Sequence, residues 1–193
     1  PSYTANYNAA PTHLLPVITH STPQGVSIFY WGTSPEWSKN KPLSEKIINV
    51  RVENILEKPT LKKAMMKTRC IIPADGFYAW KKVGRKTAIP YRFVATDEEL
   101  FSFAGMWEEF EDSDGRELHT FTLITTTANE MVASVQERMP VMLTRNAEKI
   151  WMEKESSEGD LINVLLPYAA EKMNYYPVSP RINDTMVNVP SLI

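Results

Sequence analysis

Turn-forming residues divide this chain into short runs. Fourteen prolines and seven glycines are spread through its 193 residues, so no long unbroken helix or strand is expected. The runs between them suit short strands. Leu15 to Thr19 and Val26 to Trp31 read as strands parted by a Ser-Thr-Pro-Gln-Gly turn. Gly76 to Lys82 and Ile89 to Ala95 flank Val83-Gly84-Arg85-Lys86, while Phe101 to Phe110 and His119 to Thr126 flank Asp112-Ser113-Asp114-Gly115. Both spacings predict hairpins. The predicted helices are short: Leu61 to Lys67 behind a Thr60 cap, Asn129 to Val135, Asn146 to Lys154 with Thr144 near its start, and Leu161 to Leu166 behind an Asp160 cap. In the last, Leu161, Val164 and Leu165 fall on one face. A 43% hydrophobic content fills one core at this length. With no linker or repeat visible, the expected architecture is a single α+β domain with mostly antiparallel pairing.

Charge is balanced, with 21 Lys and Arg against 23 Asp and Glu. A generic nucleic-acid coat would be basic overall, but a local basic groove remains compatible with this balance, because binding follows the local field. The single cysteine, Cys70, excludes a disulfide scaffold and points to a reducing compartment, hence the cytoplasm. Beside two isoleucines it reads as buried core. No apolar run approaches a membrane span, and the first twenty residues, polar and broken by proline, show no signal peptide. The histidines His13, His20 and His119 lack zinc-site spacing, and no phosphate-binding glycine loop occurs. No cofactor or metal is therefore expected.

Four segments carry candidate binding groups. If Asn49-Val50-Arg51-Val52-Glu53 is a strand, Val50 and Val52 face one way and Asn49, Arg51 and Glu53 the other. That second face is either an ordinary solvated one or a surface for phosphate, onto which arginine forks two donors. In Cys70 to Trp80 the rings of Phe77, Tyr78 and Trp80 serve either the core or base stacking. Arg138, in Gln136-Glu137-Arg138-Met139-Pro140, sits near a loop, free for a ligand or paired with Glu137 or Glu130. Trp31 and Trp37 flank a tight connection followed by Lys39 and Lys41, which suits either a stacking platform or a core anchor.

Taken in order, these segments resemble the SRAP (SOS-response-associated peptidase) family. Tyr7 to Thr12 resembles its YNxAPT segment, Trp31-Gly32 with Pro35 and Trp37 its WGLxPxW element, and Asn49 to Glu53 its NARAE. Arg69 to Trp80 resembles RCLVPADGFYEW, Phe103 to Glu108 FAGLWE, Thr120 to Asn129 TFTIITTxAN, and Arg138-Met139-Pro140 the end of HDRMP. The resemblance implies one α+β domain around a curved, barrel-like sheet with a groove for single-stranded DNA. It also implies a chemistry. An N-terminal cysteine, exposed when the initiator Met is removed, closes its amine and thiol onto a ring-opened abasic aldehyde as a thiazolidine.

Beside that cysteine the family places Asn, Glu and His. Here Asn49 holds the first position, Ala79 stands at the glutamate position and Gln136 at the histidine position. The family's cysteine is not within this sequence, which opens on Pro1. The resemblance assigns DNA contacts to Arg51, Arg138, Pro11, Trp31, Trp37 and Thr126. Two readings follow: an abasic-site crosslinking protein of the DNA-damage response with weakened proton transfer, or a diverged module that binds single-stranded DNA or another ligand without full chemistry. The family's name adds a third, peptidase activity.

Overall fold

The structure is a computed structural model that describes residues 3–34, 48–97, 100–112 and 114–193. Trp37, Pro35, Lys39 and Lys41 lie outside the described residues, as does Ser113 in the second predicted turn.

Eleven strands and five short α-helices are described. The strands β1 (Leu14–Thr19), β2 (Ser27–Trp31), β4 (Arg69–Ala74), β7 (Phe101–Glu111) and β8 (Glu117–Thr127) close a barrel: β1 pairs with β2 and β4, β4 with β7, β7 with β8, and β8 with β2. Closure follows from the length of β7 and β8, eleven residues each. The first half of β7 pairs with β4 and its second half with β8, so one strand belongs to two ladders. Where the ladders meet, only glycine fits at Gly105. A Cβ there would lie 2.6 Å from Ile72 Cδ1 and 3.0 Å from the Thr122 carbonyl oxygen.

Three short strands extend this sheet. β3 (Asn49–Arg51) and β9 (Arg138–Pro140) pair with β8, and β10 (Met142–Leu143) pairs with β7. The ladders β2–β8 and β3–β8 are parallel and the others antiparallel. A separate three-stranded sheet runs β11 (Met173–Pro177), β6 (Ala88–Ala95), β5 (Phe77–Lys82). Both predicted hairpins form, as β5–β6 and β7–β8.

Alternation along the barrel strands makes two cores. Leu15, Val17, Phe29, Cys70, Ile72, Phe103, Phe121 and Leu123 pack in one cluster. Side chains of the opposite parity, Ile71, Ala104, Met106 and Ile124, pack in the other with residues of the helices α1 (Val52–Glu57), α2 (Pro59–Thr68), α4 (Arg145–Met152) and α5 (Glu158–Asn163). The fifth helix, α3 (Glu130–Ala133), follows β8. No helix among the described residues is long and apolar enough to cross a membrane.

Several boundaries differ from expectation. The strand at Asn49 stops at Arg51, and helix α1 begins at Val52. The two-faced split persists nonetheless: Val50 and Val52 are buried, while Asn49, Arg51 and Glu53 are exposed. Helix α2 starts at Pro59, with Lys58 rather than Thr60 at its N-cap, because proline is pre-set for a first helical position. Helix α5 is capped by Ser157, and Asp160 returns its carboxylate to the Ser157 N–H in a capping box. Its apolar face still packs, with Leu161 and Leu165 buried and Val164 against the same cluster. Helix α3 is shorter than Asn129–Val135, and Asn129 serves as its cap.

Arg69 joins the barrel to two helices. It is fully buried, and among the described residues no carboxylate pairs with it. Its guanidinium donates to the carbonyls of Trp151 (2.7 Å) and Glu153 (2.9 Å) at the end of α4, and of Met66 (2.8 Å) near the end of α2. These carbonyls lack partners within their helices and carry partial negative charge, which suits a cation.

Candidate nucleic-acid interface

One large cleft, about 1350 Å³, opens beside the barrel mouth. That volume exceeds the few hundred to ~1,000 Å³ of small-molecule pockets and suits part of a polymer.

The strap before β1 forms one wall. Asn8 is buried, and its amide reaches the carbonyls of Ile182 (3.2 Å), Asp184 (3.0 Å) and Val187 (3.1 Å), tying strap to tail. The Tyr78 hydroxyl donates to the Tyr7 carbonyl at 2.6 Å. Burial raises the Tyr78 phenol above its ordinary pKa, so it remains a donor. Further along, Thr12 takes φ +76°, a conformation disfavoured for a β-branched residue. Backbone bonds hold it there: the Thr12 N–H donates to the Trp31 carbonyl (2.9 Å) and the Trp31 N–H to the His13 carbonyl (3.0 Å). The strap thereby fixes Pro11 in the cleft lining near Trp31.

Trp31 packs on the core and also faces the cleft. Its ring stacks on Phe121 (centroids 6.3 Å apart, planes 10° apart), yet it also lines the cleft. Its indole N–H donates to the Ile48 carbonyl at 3.0 Å, which sets the start of β3 and so the position of Asn49. Asn49 lines the cleft too, held by parallel pairing with Leu123.

The opposite wall carries Gln136 and Arg138. Gln136 follows α3 and donates its side-chain amide to the Arg138 carbonyl at 2.7 Å. Arg138 pairs with neither Glu137 nor Glu130. Its fork closes on both oxygens of Glu53 (2.7 and 2.9 Å), and one arm also donates to the Thr125 carbonyl (2.8 Å). The Arg138 hydrogen bond, with further help from Arg51, draws the Glu53 carboxyl below its ordinary pKa. Glu53 thus links two of the sequence motifs, and its place on the Asn49–Arg51–Glu53 face was the signal for it.

The structure brings together Pro11, Trp31, Asn49, Gln136 and Arg138 in the cleft lining. Arg51 is exposed and Thr126 buried, and neither lines it. Ala79 is fully buried in the core cluster, while its neighbours Tyr78 and Trp80 line the cleft. Cys70 is completely buried, and burial raises its thiol far above the ordinary range, so it is an inert core residue. Sequence reasoning missed Asn8, Asn183 and Arg92. Asn183 accepts from the Trp80 indole at 2.8 Å, and Arg92 bridges Asp75 (3.0 Å) and the Tyr176 hydroxyl (2.8 Å). Asn8 lay inside a motif already singled out. Asn183 opens a tail segment, Asn183 to Ile193, that also fits the family pattern, whereas Arg92 had no local signal.

A family profile described as SOS response associated peptidase (SRAP) matches residues 1–185. The chain belongs to the SRAP family. Among SRAP relatives it is 39% identical over 193 residues to the abasic site processing protein YoqW of Bacillus subtilis, covering 99% of this chain and 86% of that protein. It is 27% identical over 187 residues to the abasic site processing protein YedK of Escherichia coli, covering 95% and 82%. A solved protein from Bacteroides thetaiotaomicron superposes with TM-score 0.81 at 31% identity, covering 94% of this chain and 80% of that one. One from Bordetella bronchiseptica gives 0.74 at 25% identity, covering 93% and 90%. The expected α+β barrel is therefore the SRAP fold.

Proposed function

We propose that this chain binds single-stranded DNA at abasic sites in its cleft and takes part in processing them. The observation that carries this reading is the convergence of Pro11, Trp31, Asn49, Gln136 and Arg138 on one open cleft roomy enough for part of a polymer. SRAP relatives that it matches over most of their length are named abasic site processing proteins. A base-free sugar leaves an aldehyde when its ring opens. Trp31 offers a face for a neighbouring base, and Asn49 can both donate to and accept from the sugar. Arg51, exposed beside Glu53, supplies charge for the backbone outside the cleft.

The covalent step implied by the family resemblance needs an amine and a thiol on one terminal residue. The amine adds to the aldehyde carbon and water leaves. The thiol sulfur then bonds to the resulting imine carbon, and its proton passes to nitrogen. Cys70 has no part in this, being internal and buried. Gln136 cannot titrate and Ala79 has no proton to transfer. Positioned acid–base help is typically worth ~10²–10⁴-fold, so the reaction is expected to be slow. The same two residues favour the second reading, a binding module without chemistry.

A denaturing gel separates the two. The protein as encoded, incubated with an abasic single-stranded oligonucleotide, should form a species that survives denaturation and accumulates slowly. An intact oligonucleotide should form none, and Cys70→Ser should change nothing. If no such species forms while binding persists, the chain is a binding module.

A further inference from the structure

Both arginines that line the cleft are already committed to carboxylates, Arg138 to Glu53 and Arg92 to Asp75. The other cations in its lining are Lys81 and Lys82, at the end of β5. Both are exposed, and among the described residues no carboxylate lies within ion-pairing distance of either. The hairpin continues into Arg85 and Lys86 at an exposed turn, closed by the Val83 N–H on the Thr87 carbonyl at 3.0 Å. Four cations thus occupy six residues, in a chain of net charge -2, and no Asp or Glu occurs from Gly76 to Thr96.

Edge-strand lysines often serve only to discourage sheet pairing, and β5 is an edge strand. That role explains charge on the strand. It does not explain why Lys81 and Lys82 line the cleft, or why the charge extends around the turn. Exposed Trp80 stands on β5 itself and exposed Tyr176 on β11 of the same sheet, so this sheet combines cations with rings, as single-strand tracks do.

We propose that the β5–β6 hairpin is a phosphate-contacting arm for the single strand leaving the cleft. Lys81 and Lys82 meet its phosphates at the rim of the cleft, and Arg85 and Lys86 the next ones outside it. The proposal rests on reading the cleft as a nucleic-acid site. It adds the direction in which the strand leaves and a dependence on strand length.

The test uses abasic single strands of about five and about fifteen nucleotides, bracketing a single binding unit. Affinity is measured by fluorescence anisotropy across a salt series. The double variant Arg85→Gln with Lys86→Gln lies outside the cleft lining, and an unchanged melting temperature checks its fold. It should bind the short strand as the unaltered protein does. For the long strand its salt slope should fall by about 1.4, at about 0.7 per lost contact, and its affinity roughly tenfold near physiological salt. Lys81→Gln with Lys82→Gln should weaken both lengths. If both variants keep the unaltered slope and affinity on the long strand, the arm is excluded and the cleft reading stands. If the unaltered protein fails to bind the short strand, the cleft reading fails and takes the arm with it.

Discussion

Arg69→Met is expected to lower the melting temperature by roughly 8–16 °C. Methionine keeps much of the apolar stem but removes every donor. The buried carbonyl of Trp151 and the partly buried carbonyls of Met66 and Glu153 then lose that partner. Hydrogen bonds to a charged group contribute ~1.5–3 kcal/mol, and each stranded buried acceptor costs ~1–3 kcal/mol, so a total of about 4 kcal/mol is a restrained sum. At 2–4 °C per kcal/mol for a domain of this size, the stated shift follows. Thermal unfolding by circular dichroism measures it. A loss under about 3 °C would mean that water reaches those carbonyls and that the two helices do not depend on Arg69.

Trp31→Ala is expected to weaken binding of an abasic single strand by roughly 5- to 150-fold, the equivalent of ~1–3 kcal/mol for one stacked base. Two effects combine. The cleft loses a ring, and the Ile48 carbonyl loses the indole donor that holds β3, so Asn49 is less firmly placed. Trp31→Phe separates them, because it keeps a ring against Phe121 and removes only the donor. The phenylalanine variant should fall between the parent and the alanine variant. Affinities are measured well below each variant's melting temperature, since removing a half-buried tryptophan also weakens the core. If the alanine variant binds as tightly as the parent, Trp31 is a core residue alone.

Much of the fold was legible because its signals are local. The turns at Val83–Lys86 and Asp112–Gly115 sit between alternating runs, and both hairpins form there. The one-sided polarity of Asn49, Arg51 and Glu53 survived the change from strand to helix at Val52, since the exposed side stayed exposed through it. Barrel closure was not visible in the residues alone. It depends on β7 joining β4 to β8 and on β8 joining β7 to β2, a non-local property of strand length.

At the site, Trp31, Asn49, Gln136 and Arg138 line one cleft, and it was the family resemblance rather than spacing that had grouped them. The commitment of Arg138 to Glu53 was not anticipated, because the partners are 85 residues apart. Nor was the burial of Ala79. The rings of Phe77, Tyr78 and Trp80 fall on both faces of β5, so aromatic content did not show which face would meet the core.

Recognition of abasic single strands in this cleft is open to a direct competition measurement. The protein is held with a labelled abasic single strand. Unlabelled competitors are an abasic single strand, an intact single strand of the same sequence, and a duplex carrying the same lesion. The abasic single strand should compete best, and Asn49→Ala should narrow its advantage over the intact strand. Equal competition by all three, or an advantage that Asn49→Ala leaves untouched, would contradict that recognition.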